Sequence, residues 1–245
     1  MAKFALTLIN FFAFYGVRNC ITVSDYGALQ LKRRYGKDSV VIRGGIFETK
    51  GDTDDSKVLS HFGLEKNQYY LTISRIDPVK ELETLIRAFM MHPRTDTIKL
   101  VIAGDDSNSY GQSLIELAKD DKRVVFTGPV FGNDKELLLK NAMAYCLISQ
   151  SEGFPIALLE AMSYGNICLV SDIPAIHEAL PQNLGLWSEV GRVDDVFFNM
   201  QQLEKNAIDI GYNKKQIKEH VLRNFTWGKS ADQFVNYIKN LKYNI

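Results

Sequence analysis

The chain of 245 residues lacks several features that would assign it to a function class at once. It carries 29 basic and 29 acidic side chains, so no net charge draws it toward nucleic acid, and no basic patch with aromatic residues suggests base stacking. Its three cysteines are odd in number and lie in apolar runs, which indicates core residues in a reducing compartment rather than a disulfide framework. The four histidines are scattered without the spacing of metal ligands, so no metal site is expected.

Common nucleotide-binding and membrane signatures are missing too. No Gly-x-Gly-x-x-Gly follows a predicted strand, which argues against a Rossmann dehydrogenase, and no P-loop is present. The apolar run Phe4–Val17 is shorter than the roughly 20 residues that a spanning helix needs. It also lacks a small-residue cleavage site, which argues against a signal peptide. We expect this run to form a helix that packs against protein or a membrane surface, and the chain to begin inside a longer fold.

What the chain does contain is a regular alternation of short apolar segments with helical ones. Apolar residues make up 46% and charged residues 24%, as in a soluble globular protein with a substantial core. The predicted strands are Cys20–Val23, Ser39–Arg43, Tyr69–Ser74, Lys99–Ala103, Val124–Thr127, Ala144–Ser149, Ile167–Ser171 and Gly185–Trp187. The predicted helices are Asp25–Tyr35, Glu81–Met91, Gly111–Lys119, Asp134–Asn141, Ile156–Tyr164, Ala175–Leu180, Val193–Asn206 and two segments between Asn213 and Leu241. This pattern predicts an α/β fold with helices on both faces of a parallel sheet.

Charged residues and glycines follow several of the predicted strands. Arg75 comes directly after the strand Tyr69–Ser74, and Lys80 follows across a proline-containing turn. Glycines end the next two strands, and a loop with Glu152 ends the strand Ala144–Ser149. Because ligands bind at the carboxyl ends of parallel strands, we expect these groups to share one site. Arg75 and Lys80 would then supply two cations to one diphosphate.

The run from Ser151 to Met162 carries two acids around the start of a helix. Apolar residues surround Glu160 on nearly every face of that helix, which predicts a carboxylate in a buried position. Pro155 fits the first helical turn, and Gly153 and Phe154 offer backbone amides where anions bind. The segment therefore predicts a site for a ligand with phosphates and hydroxyls. The alternative is an exposed Glu160 and an ordinary loop charge at Glu152.

These motifs together resemble the donor-binding half of a GT-B glycosyltransferase of the retaining family 4. The matching segments are Ser74-Arg75-Ile76-Asp77-Pro78-Val79-Lys80, Leu100–Gly104, Val124–Gly128, the pair Glu152 and Glu160 eight residues apart, and Ser171-Asp172-Ile173-Pro174 with Glu178. The resemblance is continuous from about Ile21 to the C terminus. It implies a Rossmann-like domain over residues 67–210, a linker over 48–66, a remnant of the acceptor domain over 1–47 and C-terminal crossover helices over 211–245.

The resemblance also implies roles for the matching residues. Arg75 and Lys80 would bind the donor diphosphate, and Glu152 would hold hydroxyls of the donor sugar. Gly153, Phe154 and Ile156 would lie near the sugar and phosphates. Glu160 would bind the ribose, and Gly128 and Val130 would make backbone contacts with the base. The donor would be a UDP- or GDP-linked sugar, and neither a metal nor another cofactor would be required.

The sequence departs from the family in the N-terminal domain, of which only a tail is expected. The main hypothesis is therefore the donor-binding portion of a hexosyltransferase that needs an acceptor domain in trans or from a longer parent. It would work in the cytoplasm, with peripheral contact to the inner face of the membrane. The alternatives are a non-catalytic nucleotide-sugar-binding module or truncated product, and a different GT-B-like enzyme such as an epimerase or phosphorylase.

Overall fold

The structure is a computed structural model that describes residues 17–47, 56–93, 97–205 and 214–242. Within these ranges the strands form a two-stranded sheet and a six-stranded sheet, and every strand pairing is parallel. The predicted helix Phe4–Val17 lies outside the described residues except for Val17, as does the polar stretch 48–55. The predicted α/β fold with a parallel sheet between helices is confirmed.

The bounds of the elements follow the predicted alternation. The strands are β1 (Ile21–Thr22), β2 (Val40–Val41), β3 (Tyr69–Ile73), β4 (Lys99–Ala103), β5 (Val124–Gly128), β6 (Ala144–Leu147), β7 (Ile167–Ser171) and β8 (Gly185–Ser188). The helices are α1 (Asp25–Tyr35), α2 (Ser56–His61), α3 (Leu82–Met90), α4 (Ser109–Ala118), α5 (Gly132–Asn141), α6 (Ile156–Ser163), α7 (Pro174–His177), α8 (Val193–Lys205), α9 (Lys214–Asn224) and α10 (Trp227–Lys242). Helix α7 is shorter than predicted, but turn-forming backbone bonds continue to the amide of Leu180, which donates to the carbonyl of Ile176 at 2.9 Å. They end there because Pro181 disfavours helical backbone in the residue before it.

The large sheet has a hydrophobic core on each face. Side chains alternate along β3, so that Tyr69 and Leu71 join the core under α5, α6 and α9, while Tyr70 joins the core under α3, α4 and α8. Both tyrosines are fully buried and satisfy their hydroxyls: Tyr69 donates to the carbonyl of Leu138 at 2.7 Å and Tyr70 to Glu204 at 2.8 Å. The sheet is therefore a rigid platform for the loops at its edges.

The stretch predicted as a linker, residues 48–66, is not extended throughout. Its second half contains α2, and Leu59 and Leu64 are buried in the core that also holds α5. These two apolar side chains anchor the segment, because burying them removes apolar surface from water. The division of the chain at residue 67 stays a prediction.

Residues 17–47 form a β1–α1–β2 unit that is fastened to the rest of the chain. The side chain of Ser24 caps α1 by accepting from the amide of Gly27 at 3.0 Å. At the other end of the unit, the amide of Ile46 donates to the carbonyl of Phe225 at 3.0 Å. Thr226 caps the last helix, α10, because its hydroxyl accepts from the amide of Lys229 at 3.4 Å.

The order of the strands places two loops side by side. The sheet runs β5-β4-β3-β6-β7-β8, so the chain moves outward from β3 to β5 and then returns to β6 beside β3. Loops that leave β3 and β6 at their carboxyl ends therefore diverge toward opposite faces of the sheet. Such a switch in strand order opens a crevice, which is where ligands bind in open parallel sheets.

Candidate functional site

The turn after β3 presents Lys80. The side chain of Asp77 accepts from the amide of Val79 at 3.0 Å and caps a single 3-10 turn, Pro78–Lys80. Glu81 follows with φ of 48°, a left-handed conformation that is uncommon outside glycine. This change of direction separates the 3-10 turn from α3, and it leaves Lys80 at the crevice between β3 and β6.

The loop after β6 is tied to that turn. The amide of Gln150 donates to the carbonyl of Val79 at 2.8 Å. The side chain of Gln150 donates to the carboxylate of Glu81, which also accepts from Thr84 at 2.5 Å. These two bonds fix the side chain of Glu81 between the 3-10 turn, the loop after β6 and the first turn of α3. The two loops at the switch in strand order are therefore one connected structure.

Lys80 and Glu152 meet in this crevice. The ammonium of Lys80 lies 2.6 Å from Oε1 of Glu152, and the side chains are only 14% and 10% exposed. The hydroxyl of Ser149 donates to the same oxygen at 2.8 Å, and the amide of Ser149 donates to Oγ of Ser171 at 2.9 Å. Because both serines are fully buried, these hydrogen bonds connect Glu152 to the core and fix its position. The predicted convergence of these two charges is present.

The loop continues through Gly153 and Phe154 into α6. The amides of these two residues have no hydrogen-bond acceptor within the part of the chain described. Pro155 occupies the N-cap position rather than the first turn predicted for it, because regular helix begins only at Ile156. Phe154 packs against Phe225 with ring centroids 5.5 Å apart, which anchors the loop. Two amides thus lie beside the Lys80–Glu152 pair, at the start of a helix.

Glu160 is placed differently from the prediction of a buried carboxylate. Its side chain is 32% exposed and lies 2.7 Å from the ammonium of Lys135 on α5. Leu158, Leu159 and the residues from Ala161 to Ser163 are buried, but the face of α6 toward α5 opens into a cavity of about 570 Å³ that Ile156 and Tyr164 also line. The prediction failed because the apolar residues around Glu160 cover the other faces of the helix.

Arg75 lies in a second cavity, of about 490 Å³, together with Gly104, Val130 and the exposed Phe131. Gly128 ends β5 beside it with φ of 68°, a conformation that glycine adopts readily. No ion pair of Arg75 is found among the described residues, and no contact joins it to Lys80, Glu152 or Glu160. The predicted residues therefore divide into three groups along one edge of the sheet: those around Lys80 and Glu152, those around Glu160, and those around Arg75. Residues 129–131 line the cavity with Arg75, and the next residue, Gly132, lines the cavity with Glu160.

Two side chains near these groups have pKa values that their surroundings shift. Burial raises the pKa of Tyr145, whose hydroxyl donates to the carbonyl of Ile73 at 3.0 Å, well above its ordinary range. Hydrogen bonds from Ser107 lower the pKa of Asp105. In the described ranges no three His, Cys, Asp or Glu side chains are grouped so that they could hold a metal ion.

Three supporting residues escaped the sequence prediction. Ser149 and Ser171 end two predicted strands, and serine at the carboxyl end of two neighbouring strands is itself a signal for a hydrogen bond across that edge. The sequence around Lys135 gives no such signal. Its pairing with Glu160 joins positions 25 residues apart and depends on how α5 packs beside α6. Among the helices described, none is long and apolar enough to cross a bilayer.

Comparison with known proteins identifies relatives of this chain. Residues 59–221, well over half of the chain, match the family model described as Glycosyl transferases group 1. An uncharacterized glycosyltransferase of Methanocaldococcus jannaschii is 29% identical over 171 residues, which are 69% of this chain and 44% of that protein. An O-antigen chain mannosyltransferase of Salmonella typhimurium is 33% identical over 119 residues, 47% of this chain and 33% of that protein.

A solved structure has the same fold. The Anabaena protein HepE in complex with UDP-glucose superposes with a TM-score of 0.82 at 17% identity, over 91% of this chain and 64% of that protein. The aligned part of the chain thus spans less than half the length of the two curated relatives named above.

Proposed function

The chain belongs to the glycosyl transferases group 1 family, and from this we propose that it binds a nucleoside-diphosphate sugar along the carboxyl edge of its large sheet. The observation that carries the proposal is the buried pair of Lys80 and Glu152 beside the amides of Gly153 and Phe154. A cation and two amide donors suit a diphosphate, and a carboxylate suits the hydroxyls of a sugar. The UDP-glucose in the related HepE structure supports a ligand of this class.

Each group has a role in sugar transfer with retention. The bond between the anomeric carbon and the diphosphate oxygen breaks, and the electron pair leaves with the diphosphate. The oxygen of an acceptor hydroxyl forms the new bond to the anomeric carbon, and its proton passes to the departing diphosphate oxygen. Lys80 and the loop amides stabilise the negative charge that builds on the leaving diphosphate. Glu152 orients the sugar through its hydroxyls, and its hold on Lys80 fixes both groups before the ligand arrives.

The remaining predicted residues bind the nucleoside. Glu160 accepts hydrogen bonds from the ribose, with Ile156 beside it. The cavity with Arg75, Val130 and Phe131 takes the base, and the backbone at Gly128 adds polar contacts. Arg75 carries no ion pair within the described residues, so its guanidinium is available to the phosphates. We propose that the transfer needs neither a metal nor another cofactor, with the charge of the diphosphate met by Lys80, Arg75 and the loop amides.

The acceptor side of the reaction comes from a further domain, supplied in trans or by a longer parent chain. Supporting this, the β1–α1–β2 unit exposes Ile21, Val23, Leu29 and Val40. Exposed apolar surface of this kind marks a protein contact. The mannosyltransferase among the relatives supports a hexose as the transferred sugar. The name of that relative, an O-antigen chain mannosyltransferase, also supports a role in polysaccharide assembly, and we propose that transfer occurs at the cytoplasmic face of a membrane.

Titration calorimetry with UDP and GDP tests the donor site. We expect micromolar to millimolar binding of at least one nucleotide, and a loss of about tenfold in affinity in Lys80→Met, because one charge-assisted hydrogen bond is worth about 1.5–3 kcal/mol. Lys122→Met, an exposed lysine away from both cavities, is the matched control. Absence of heat with both nucleotides would refute the donor site.

A second candidate function is a nucleotide-sugar-binding module without transferase activity. Transfer of radiolabelled sugar, measured with and without the product of the adjacent gene, separates the two. Transfer that depends on the added protein supports the transferase, whereas binding without transfer under either condition supports the module.

A further inference from the structure

Lys135 and Glu160 face each other across the groove between α5 and α6. The ammonium lies 2.7 Å from Oε1 of Glu160, and the two side chains are 29% and 32% exposed. An ion pair this open to water adds little to the stability of a fold. Stability therefore gives little reason for the pair, and its place on the wall of a cavity of about 570 Å³ suggests a ligand.

The pair leaves a defined set of hydrogen-bonding positions toward the cavity. Oε2 of Glu160 accepts no hydrogen bond within the ranges described, and the ammonium of Lys135 has one carboxylate partner out of the three bonds it can donate. Glu136 also lines this cavity and lies close enough to Tyr164 to help raise the pKa of its hydroxyl, after the effect of burial. Among the residues that line this cavity, Lys135 carries the positive charge. The pair thus offers one acceptor and up to two donors, side by side.

A vicinal diol matches this set. One hydroxyl can donate its proton to Oε2 of Glu160, and the oxygen of the neighbouring hydroxyl can accept from the ammonium of Lys135. A carboxylate alone could accept from both hydroxyls but could not donate to either. Resting on the proposed function, we propose that Lys135 is a second binding residue for the ribose 2′,3′-diol and that it acts jointly with Glu160.

The proposal assigns Lys135 to the ribose and not to the phosphates. The cavity that Lys135 lines is formed by the α5–α6 groove, together with Ile46, Ile156 and Trp227. Lys80, Gly153 and Phe154 do not line it. For Lys135 to contact a phosphate, the nucleotide would have to be bound with its phosphates in the α5–α6 groove instead of at Lys80, Gly153 and Phe154.

The test compares two ligands on three variants. Nucleoside diphosphate and its 2′,3′-dideoxy analogue are titrated into wild-type protein, Lys135→Met, Lys135→Arg and the control Lys140→Met, an exposed lysine on the same helix. We expect wild-type protein to prefer the ribonucleotide at least tenfold. Lys135→Met should lose about tenfold in affinity for the ribonucleotide and little for the dideoxy analogue. Lys135→Arg, which keeps the donors, should retain most of the preference.

The alternatives give different results. An equal loss of affinity for both ligands in Lys135→Met would mean that Lys135 binds phosphate, and no loss for either ligand would mean that it binds nothing; both overturn the inference. Because the pair adds little stability, the thermal midpoint of Lys135→Met should stay within about 2–3 °C of wild type. If wild-type protein binds neither nucleotide, the proposed function itself fails and this inference fails with it.

Discussion

Glu178 holds the N-terminal unit to the large domain, and its removal should destabilise that unit. Its two oxygens accept from the amides of Asp25 and Tyr26, both at 2.7 Å, and one of them also accepts from Arg43 at 2.9 Å. The side chain is 13% exposed. A carboxylate therefore sits at the N terminus of α1, where the helix dipole favours negative charge, and it pairs with a guanidinium as well.

The expected cost of Glu178→Ala follows from these contacts. Breaking a buried ion pair by removing one partner costs about 3–5 kcal/mol, and the partial exposure and the remaining bond from Arg43 to Asp25 reduce this to about 2–4 kcal/mol. For a chain of this size about 3 kcal/mol corresponds to a drop of roughly 6–12 °C in thermal midpoint. The thermal midpoint of Glu178→Gln should lie between those of wild type and Glu178→Ala, because the amide oxygen of glutamine can still accept a hydrogen bond from the N terminus of α1.

Thermal unfolding and hydrogen exchange check this prediction. The amides of Asp25 and Tyr26 should exchange faster in Glu178→Ala than in wild type, whereas amides of β3 should be unaffected below the transition. Glu219→Ala is the control, because Glu219 forms an exposed pair with Lys215 at 3.7 Å and should change stability by less than about 1 kcal/mol. A midpoint of Glu178→Ala within 2 °C of wild type, with unchanged exchange at both amides, would refute the reasoning.

Two further predictions concern the C-terminal helices: the contact of Gly45 with Thr226, and His220 on α9. Gly45→Ala should cost about 1–3 kcal/mol by denaturant unfolding, because a Cβ there would overlap the backbone of Thr226, whereas Gly228→Ala, whose Cβ would meet nothing nearer than 3.9 Å, should be neutral or stabilising. His220 has a pKa below its usual 6.5 because it is buried, so the stability it contributes is present above that pH and is lost as the pH falls below it. The thermal midpoint should therefore fall less between pH 7.5 and 5.5 in His220→Gln than in wild type, and an equal fall would contradict this.

The sheet and its helices could be predicted because each depends on local sequence. Short apolar runs such as Lys99–Ala103 and Ile167–Ser171 have the predicted bounds, since a strand buried on both faces must be apolar throughout. The convergence of Lys80 and Glu152 followed from one rule, that the carboxyl ends of parallel strands share an edge.

The rest could not be predicted because it depends on packing between distant segments. The contact of Glu178 with α1 joins residues 153 positions apart, so the sequence around either residue does not predict it. Glu160 was predicted to be buried because its sequence neighbours are apolar, but one face of α6 opens into the groove with Lys135. Helix α2 was missed because its few apolar residues stand next to a polar stretch of linker composition.

The most direct test of the account is a crystal structure of the chain with the nucleoside diphosphate that it binds. We predict the diphosphate within hydrogen-bonding distance of Lys80 and the amides of Gly153 and Phe154, with the ribose diol between Glu160 and Lys135. A nucleotide bound away from the carboxyl edge of the large sheet, or one whose phosphates occupy the groove between α5 and α6, would contradict it.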